Sequence, residues 1–224
     1  MRYADAMKYA LAFALLVGAA LAAPLGRSLA AEQPTALAQF SDAVAALQDY
    51  TVSLTAHETK GSETYDRTMR LSFKKPTMAK LEVIAGPGKG GVVFWHGGDK
   101  VRGHRGGFLS MITLTLDLHD KQVTSLRGAT IEDATFPWQV EHLKTMKGEL
   151  SEQPGPTIDG QETEALTLKP ADPQADTGLT SEVTFISRIT HLPVRFQGYE
   201  GTTVVRQSDY TNLQLNTGLK DSDF

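Results

Sequence analysis

From Pro34 onward the apolar positions first repeat every three or four residues. Leu37, Phe40, Val44 and Leu47 fall on one face of a helix predicted over Pro34–Tyr50. Pro34 suits the first helical turn, where its missing N–H costs nothing, and the intervening alanines favour helix. The period then switches to two. Tyr50, Val52, Leu54 and Ala56 alternate with Thr51, Ser53, Thr55 and His57, the pattern of a half-buried strand. Met69, Leu71 and Phe73 alternate in the next strand, which Lys74-Lys75-Pro76 closes. Leu81 and Val83 mark a third strand, Val92–Trp95 a fourth and Lys100–Arg102 a fifth, with turns at Gly61-Ser62, Gly86–Gly91 and His96–Asp99. Short consecutive strands joined by short turns make an antiparallel meander.

Phe108–Leu118 fits two periods. Ile112, Leu114, Leu116 and Leu118 alternate as in a strand, whereas Leu109, Ile112 and Leu116 would also line a helix; the β-branched Thr113 and Thr115 favour strand. Pro137–Lys147 predicts a second helix, with Phe136, Val140 and Leu143 on one face and Gly148 as its stop. Glu152–Gly160 reads as a Pro/Gly loop. Strands resume at Ala165–Lys169, Glu182–Ser187, Pro193–Tyr199 and Thr202–Leu215, the first two joined by the long connection Pro170–Gly178. This order predicts an α+β domain, one curved antiparallel sheet with helices gathered on one side. Helices over the concave face would enclose apolar side chains and leave room for a cavity. The alternating set Met69, Leu71, Phe73, Leu81, Val83, Phe94 and Trp95 is equally the pattern of a filled core, which pattern alone favours.

The N-terminus has a different character. Arg2 and Lys8 precede an apolar run, Tyr9–Ala23, and the small residues Ser28 and Ala30 follow Pro24 and Gly26. This is the layout of a secretory signal over residues 1–30, cut after Ala30, with Ala31 or Ala23 as the other choices. The run is short for a membrane span, which takes about 20 apolar residues. Removal of the signal would leave residues 31–224 as one domain with 19 basic and 25 acidic residues, an acidic balance that argues against nucleic-acid binding. The chain has no cysteine. That excludes a disulfide framework, thiol catalysis, cysteine zinc sites and a lipid anchor on a cysteine at the cut. It suits an exported bacterial envelope protein that folds on its core alone.

Chemistry-bearing motifs are sparse. Gly86–Gly91 has a glycine after Lys89 where a phosphate loop needs Ser or Thr, so it reads as a hairpin turn. Lys100, Arg102, His104 and Arg105 form a basic, glycine-rich segment that would suit anionic headgroups or an acidic partner, and equally a solvated loop. The six histidines show no clean metal spacing; His96 and His104 could meet across a hairpin but have no third ligand nearby. There is no Gly-x-Ser-x-Gly nucleophile turn, and no pair among Asp117, Asp120, Glu132 and Asp133 is marked for acid–base work.

Several segments taken in order resemble the LolA-like family of periplasmic lipoprotein carriers and their envelope-stress relatives. They are Leu47-Gln48-Asp49-Tyr50 at the first helix end, Leu71-Ser72-Phe73-Lys74-Lys75-Pro76, Gly98-Asp99-Lys100-Val101, Leu166–Pro170, Leu192-Pro193, and Asn212–Asn216 running on to Asp223-Phe224. The resemblance covers about Leu37 to Phe224. It implies a strongly curved, unclosed β-barrel whose concave face is covered by helices acting as a lid over an apolar cavity. It also implies a noncatalytic, monomeric carrier or chaperone in the periplasm, with no cofactor and no metal. The occupants would be lipid acyl chains or lipoproteins, and the partners inner- and outer-membrane proteins. The implied cavity lining is Leu54, Met69, Leu71, Phe73, Leu81, Val83 and Phe94, and the lid face is Leu37, Phe40, Val44 and Leu47 with Val140 and Leu143. Lys75 stands where the carriers place an arginine that hydrogen-bonds the lid, without the guanidinium fork. The alternatives are a regulatory binding protein that senses envelope stress and an enzyme holding a small apolar substrate. A polar cluster inside the cavity would favour the enzyme.

Overall fold

A computed structural model describes residues 34–107 and 111–224. The signal reading of residues 1–30 and the first part of the ambiguous Phe108–Leu118 segment therefore lie outside the described residues. The elements run in the order α1 (Thr35–Ala46), β1 (Asp49–Lys60), β2 (Glu63–Lys74), β3 (Met78–Ala85), β4 (Val92–Trp95), β5 (Lys100–His104), β6 (Leu114–Asp117), α2 (Phe136–Thr145), β7 (Gly148–Pro154), β8 (Thr163–Pro170), β9 (Ser181–Ser187), β10 (Pro193–Glu200) and β11 (Thr203–Leu215). All described strands form one antiparallel sheet in the order β6-β5-β4-β3-β2-β1-β11-β10-β9-β8-β7. The two meanders thus meet where β1 pairs with β11, and β6 and β7 are unpaired edges. The barrel is not closed.

Eleven strands laid flat would span roughly 48 Å at ~4.8 Å per strand, far more than two helices each about 10 Å across could cover. Yet Val101 on β5 and Leu168 on β8 belong to the same buried core as Leu37, Phe40, Val44, Leu47, Val140 and Leu143. The sheet must therefore curl around the helices. This matches the α+β, curved-sheet expectation, and within the described part of the ambiguous segment Leu114–Asp117 is strand.

Two boundaries differ from the sequence pattern. The first helix stops at Ala46 and not at Tyr50, because Leu47 turns extended and Asp49 and Tyr50 join the ladder opposite Lys74 and Phe73. The buried Asp49 carboxylate also accepts hydrogen bonds from Thr217 N (2.7 Å), Thr217 Oγ1 (2.9 Å) and Gly218 N (3.0 Å), fixing the C-terminal segment against the start of β1. The second helix ends at Thr145, and strand β7 takes in Glu152–Pro154, the first third of the expected Glu152–Gly160 loop. β7 is an exposed edge paired with β8 alone, so its GELSEQP sequence carries no apolar alternation, and Pro154 is tolerated at its end. Gly148 starts it because a Cβ there would lie 2.2 Å from the Lys169 carbonyl oxygen.

The helices are fixed to the sheet by an aromatic column. The Tyr50 ring is fully buried and stacked between Phe73 (centroids 5.3 Å) and Phe136 (4.4 Å), with Phe40 edge-on to Phe136 at 6.3 Å. The Tyr50 hydroxyl also accepts the Phe136 N–H at 2.9 Å, one of the orphan donors of the first turn of α2. A second tie is ionic. His142 on α2 shares a 2.7 Å hydrogen bond between its Nε2 and Glu182 Oε1 on β9, with Asp176 Oδ1 3.9 Å away. Burial, reinforced by the Glu182 charge, pushes the Asp176 carboxyl up to about 7. Burial alone would lower His142, but the hydrogen bond and charge of Glu182 outweigh it and raise the imidazole.

Tyr50→Phe should cost about 1–3 kcal/mol by leaving the Phe136 N–H buried and unpaired. Urea unfolding measures it, and a loss below about 0.5 kcal/mol, the scatter of neutral surface changes, would show the hydroxyl to be idle. The ionic tie predicts a pH dependence. With Asp176 raised, the native state binds the extra proton from about pH 4 to about pH 7, so stability falls as pH rises through that window. The raised His142 adds a contribution that is present below its ordinary pKa and is lost as pH rises past its folded value. The stability of wild type relative to Asp176→Asn should therefore decline between about pH 4 and about pH 7 in thermal melts; a constant difference would show an unshifted carboxyl.

Candidate binding cavity

The inner face of β2, β1 and β11 is built in rungs, and the rungs change character along the strands. Phe73 and Tyr50, then Leu71 and Val52, are apolar and buried in the core. Met69, Leu54 and Tyr210 form the next rung, followed by Arg67, Ala56 and Ser208, and finally Tyr65, Glu58 and Arg206. The core is filled where the two helices reach the sheet. Beyond Leu71 the contact thins to Phe136 and Gln139 against Tyr210, and a cavity of about 620 Å³ opens, within the range of roughly 300–1,000 Å³ usual for small-molecule sites. Leu54, Met69, Leu81, Val83, Val93 and Leu116 make its apolar wall.

Four of the seven expected lining residues, Leu54, Met69, Leu81 and Val83, border this space. Leu71 and Phe73 do not; they are packed into the core, at 0% and 2% exposure. Phe94 is on the other face of the sheet. Val93 pairs with Leu81 and points inward, so Phe94, one residue on, pairs with Lys80, whose ammonium lies 5.8 Å from its ring. A register slip of one residue in reading β4 exchanges the two faces.

The helices are not the roof of the cavity. Leu37, Phe40, Val44, Leu47, Val140 and Leu143 are all buried in the core. Lys75 does contact α1, donating from Nζ to the Ala45 carbonyl at 2.6 Å, so a single ammonium makes the contact expected of an arginine. The roof is the connection between β6 and α2: Lys121–Ser125, Ala129–Ile131, Asp133 and Ala134 line the space. It is bolted down by Arg127, whose side chain is 3% exposed. Its guanidinium donates to the Thr59 carbonyl (2.8 Å) and the Thr177 carbonyl (3.3 Å) and pairs with Glu200. No periodicity marks this strap, whose apolar residues Leu118, Val123, Leu126 and Ile131 are scattered through a polar run that also holds Arg127.

The far end of the cavity is polar. Glu58 Oε1 is 3.2 Å from Arg206 Nε, and Asp133 accepts from Thr130 N (2.9 Å) and Thr130 Oγ1 (3.0 Å). Burial pushes Tyr210 up to about 12, so it stays a neutral phenol, and Gln139 Nε2 donates to its hydroxyl at 3.0 Å. The basic, glycine-rich segment contributes Gly103–Gly106 to the rim, facing Pro87–Lys89 and Gly91. An adjoining recess of about 340 Å³ brings His142, Asp176 and Glu182 within 4.8 Å of one another. One imidazole and two carboxylates suit a divalent cation in donor type. The Arg206 guanidinium borders the same recess, and His142 and Glu182 already satisfy each other, so the cluster is balanced by protons and arginine. His96 and His104 do not form such a group.

No family model matches the sequence, and no curated protein matches it. Solved structures do. The lipoprotein LppX of Mycobacterium tuberculosis is 17% identical with a TM-score of 0.50, the match covering 84% of this chain and 99% of that one. A domain described as an outer membrane lipoprotein-sorting protein, from Vibrio parahaemolyticus, is 15% identical with a TM-score of 0.47, over 84% of this chain and 94% of that one. A LolA superfamily protein of Nitrosomonas europaea is 12% identical with a TM-score of 0.40, over 85% and 97%. At such identities the likeness is one of fold. In this chain that fold is, over the described residues, an unclosed antiparallel sheet with two helices, consistent with the resemblance carried by the ordered sequence segments.

Proposed function

We infer that this chain is a noncatalytic binding protein of the bacterial envelope that holds a hydrocarbon chain, of a lipid or of a lipoprotein, against Leu54, Met69, Leu81 and Val83. One observation carries this reading: the inner face, filled by its own side chains around Tyr50, is left open beyond Leu71, and the wall of the opening is aliphatic. Each CH₂ moved from water to such a wall gains about 0.8 kcal/mol, so a dry groove can hold a chain without any covalent step. The N-terminal signal pattern supports export. Among the described residues no helix is long and apolar enough to cross a membrane, which fits a carrier working between membranes.

The polar end of the cavity is the feature that would favour an enzyme. Its groups are largely committed: Glu58 to Arg206 and Asp133 to Thr130. Among the described residues the histidine side chains bond to Asp66, the Arg105 carbonyl and Glu182, so no serine or threonine hydroxyl has a histidine base. The carrier reading is the stronger one.

Leu81→Glu puts a carboxylate in the aliphatic wall at a partly buried position that borders the filled core without belonging to it. It should keep the wild-type circular dichroism and weaken binding of the neutral dye N-phenylnaphthylamine at least about tenfold. Leu71→Glu, in the filled region, should abolish cooperative unfolding. Undiminished dye binding by a folded Leu81→Glu protein would refute the cavity as the hydrocarbon site.

A further inference from the structure

Arg67 is half-buried on the inner face of β2, between Met69 and Tyr65. Its Nε is closed off from solvent with no hydrogen-bond partner among the described residues, and its guanidinium carbon lies 4.8 Å from the Tyr65 ring centroid. Arg206, two strands away on the same face, is different: it pairs with Glu58 and lies 5.0 Å from the Phe196 ring centroid. One cavity arginine is thus neutralised and the other is not. A cation taken partly out of water is costly until an anion meets it.

The surroundings increase the imbalance. The Gly86–Gly91 turn folds back on β2 at this point; a Cβ on Gly86 would lie 2.1 Å from the Asp66 carbonyl, and its φ is +87°. That close approach brings Lys89 to the rim near Arg67, and Arg105 and Lys121 line the same opening. The cavity is bordered by five lysines and arginines and only two carboxylates, Glu58 and Asp133, both already engaged. The chain as a whole has a net charge of −4, so this is a local reversal of sign next to an aliphatic wall.

We propose that the cavity selects an anionic amphiphile, a hydrocarbon chain ending in a carboxylate or phosphate, with the head on Arg67 and the chain along Met69, Leu54 and Leu81. The inference rests on the hydrocarbon-binding reading above and adds the head. A guanidinium presents a planar fork that donates to two oxygens of a carboxylate or phosphate at once, and stacking on Tyr65 holds that fork in place. A neutral chain would fill the wall and leave Arg67 unpaired.

The test is calorimetric titration of the full chain, below micelle concentration, with dodecanoate, dodecyl phosphate, dodecanol and inorganic phosphate. Dodecanoate or dodecyl phosphate should bind at least about tenfold more tightly than dodecanol, the worth of a charge-assisted hydrogen bond. Which of the two is preferred identifies the head. Arg67→Gln should remove that preference and leave dodecanol binding intact, and Lys89→Gln should reduce it less. Equal affinity for dodecanol, or a preference that survives in a folded Arg67→Gln protein, would overturn the assignment of the head while leaving hydrocarbon binding standing. Inorganic phosphate binding as tightly as dodecyl phosphate would overturn the amphiphile in favour of a free-anion site. Failure of every dodecyl compound to bind would remove the hydrocarbon reading and this inference with it.

Discussion

The stack of Phe73, Tyr50 and Phe136 is the contact on which the rest of the architecture depends. A sheet this wide and this curved has two unpaired edges, β6 and β7, and nothing in its own hydrogen bonding decides how far it curls. The decision is made where β1, β2 and α2 meet. Two aromatic rings from adjacent strands and one from the helix stack on a shared axis, and the Tyr50 hydroxyl takes the first N–H of α2. Offset-stacked aromatic pairs contribute about 0.5–1.5 kcal/mol each beyond the area they bury, and these lie at the centre of the filled core. Glu152 on the edge strand β7 accepts the Ala36 N–H at 3.1 Å, so the first turn of α1 is tied to an outermost strand. The helices are clamped from the middle of the sheet and from one margin.

That clamp explains why there is a cavity and where it ends. The helices fill the concave space up to the rung of Leu71 and Val52, and past it touch Tyr210 through Phe136 and Gln139. The remaining length of the strands is covered by the strap between β6 and α2, which buries Leu118 and Ile131, packs Val123 and Ala134 against the core, and is tied down by hydrogen bonds through Arg127. Displacing this roof means breaking the Arg127 contacts and uncovering Val123, Ile131 and Ala134. Filled core and open pocket are therefore not alternatives here; they occupy successive stretches of the same strands.

Much of this was legible in the sequence, for reasons that also mark the limits. Periods of two and of three to four identified both helices and most of the strands, because those elements bury one face only. β7 was invisible because an exposed edge strand has no buried face to announce it. Tyr50 carried two conflicting signals, the end of a helical stripe and the start of a strand, and pairing on both sides of β1 settled the conflict. For the site, alternation placed Leu54, Met69, Leu81 and Val83 on the correct face. It could not separate them from Leu71 and Phe73, since the difference lies in which stretch the helices cover. Phe94 was misplaced by one residue of register in a four-residue strand of continuous apolar character, where periodicity has nothing to measure. Arg67 and Glu58 keep the alternation of their strands but are charged, so a search for apolar positions passes over them.

The change from aliphatic to cationic along three paired strands also bears on how such a protein could approach its ligand's source. At physiological ionic strength charges further apart than about 8 Å are largely screened. The net negative charge of the chain therefore acts as weak general repulsion from anionic surfaces, while the cations around Arg67 act only on a head that has already come within contact distance. On the proposed reading, weak net repulsion with attraction only at contact would favour capture of single exposed molecules over adhesion to a membrane sheet. The same geometry sets the order of events. A head that enters last stays nearest the rim, where the Lys89 turn and the Lys121 strap border the opening, and movement of the strap would uncover head and chain together. On the proposed reading, release would require only that the receiving surface offer the head a better cationic partner and the chain a larger apolar one.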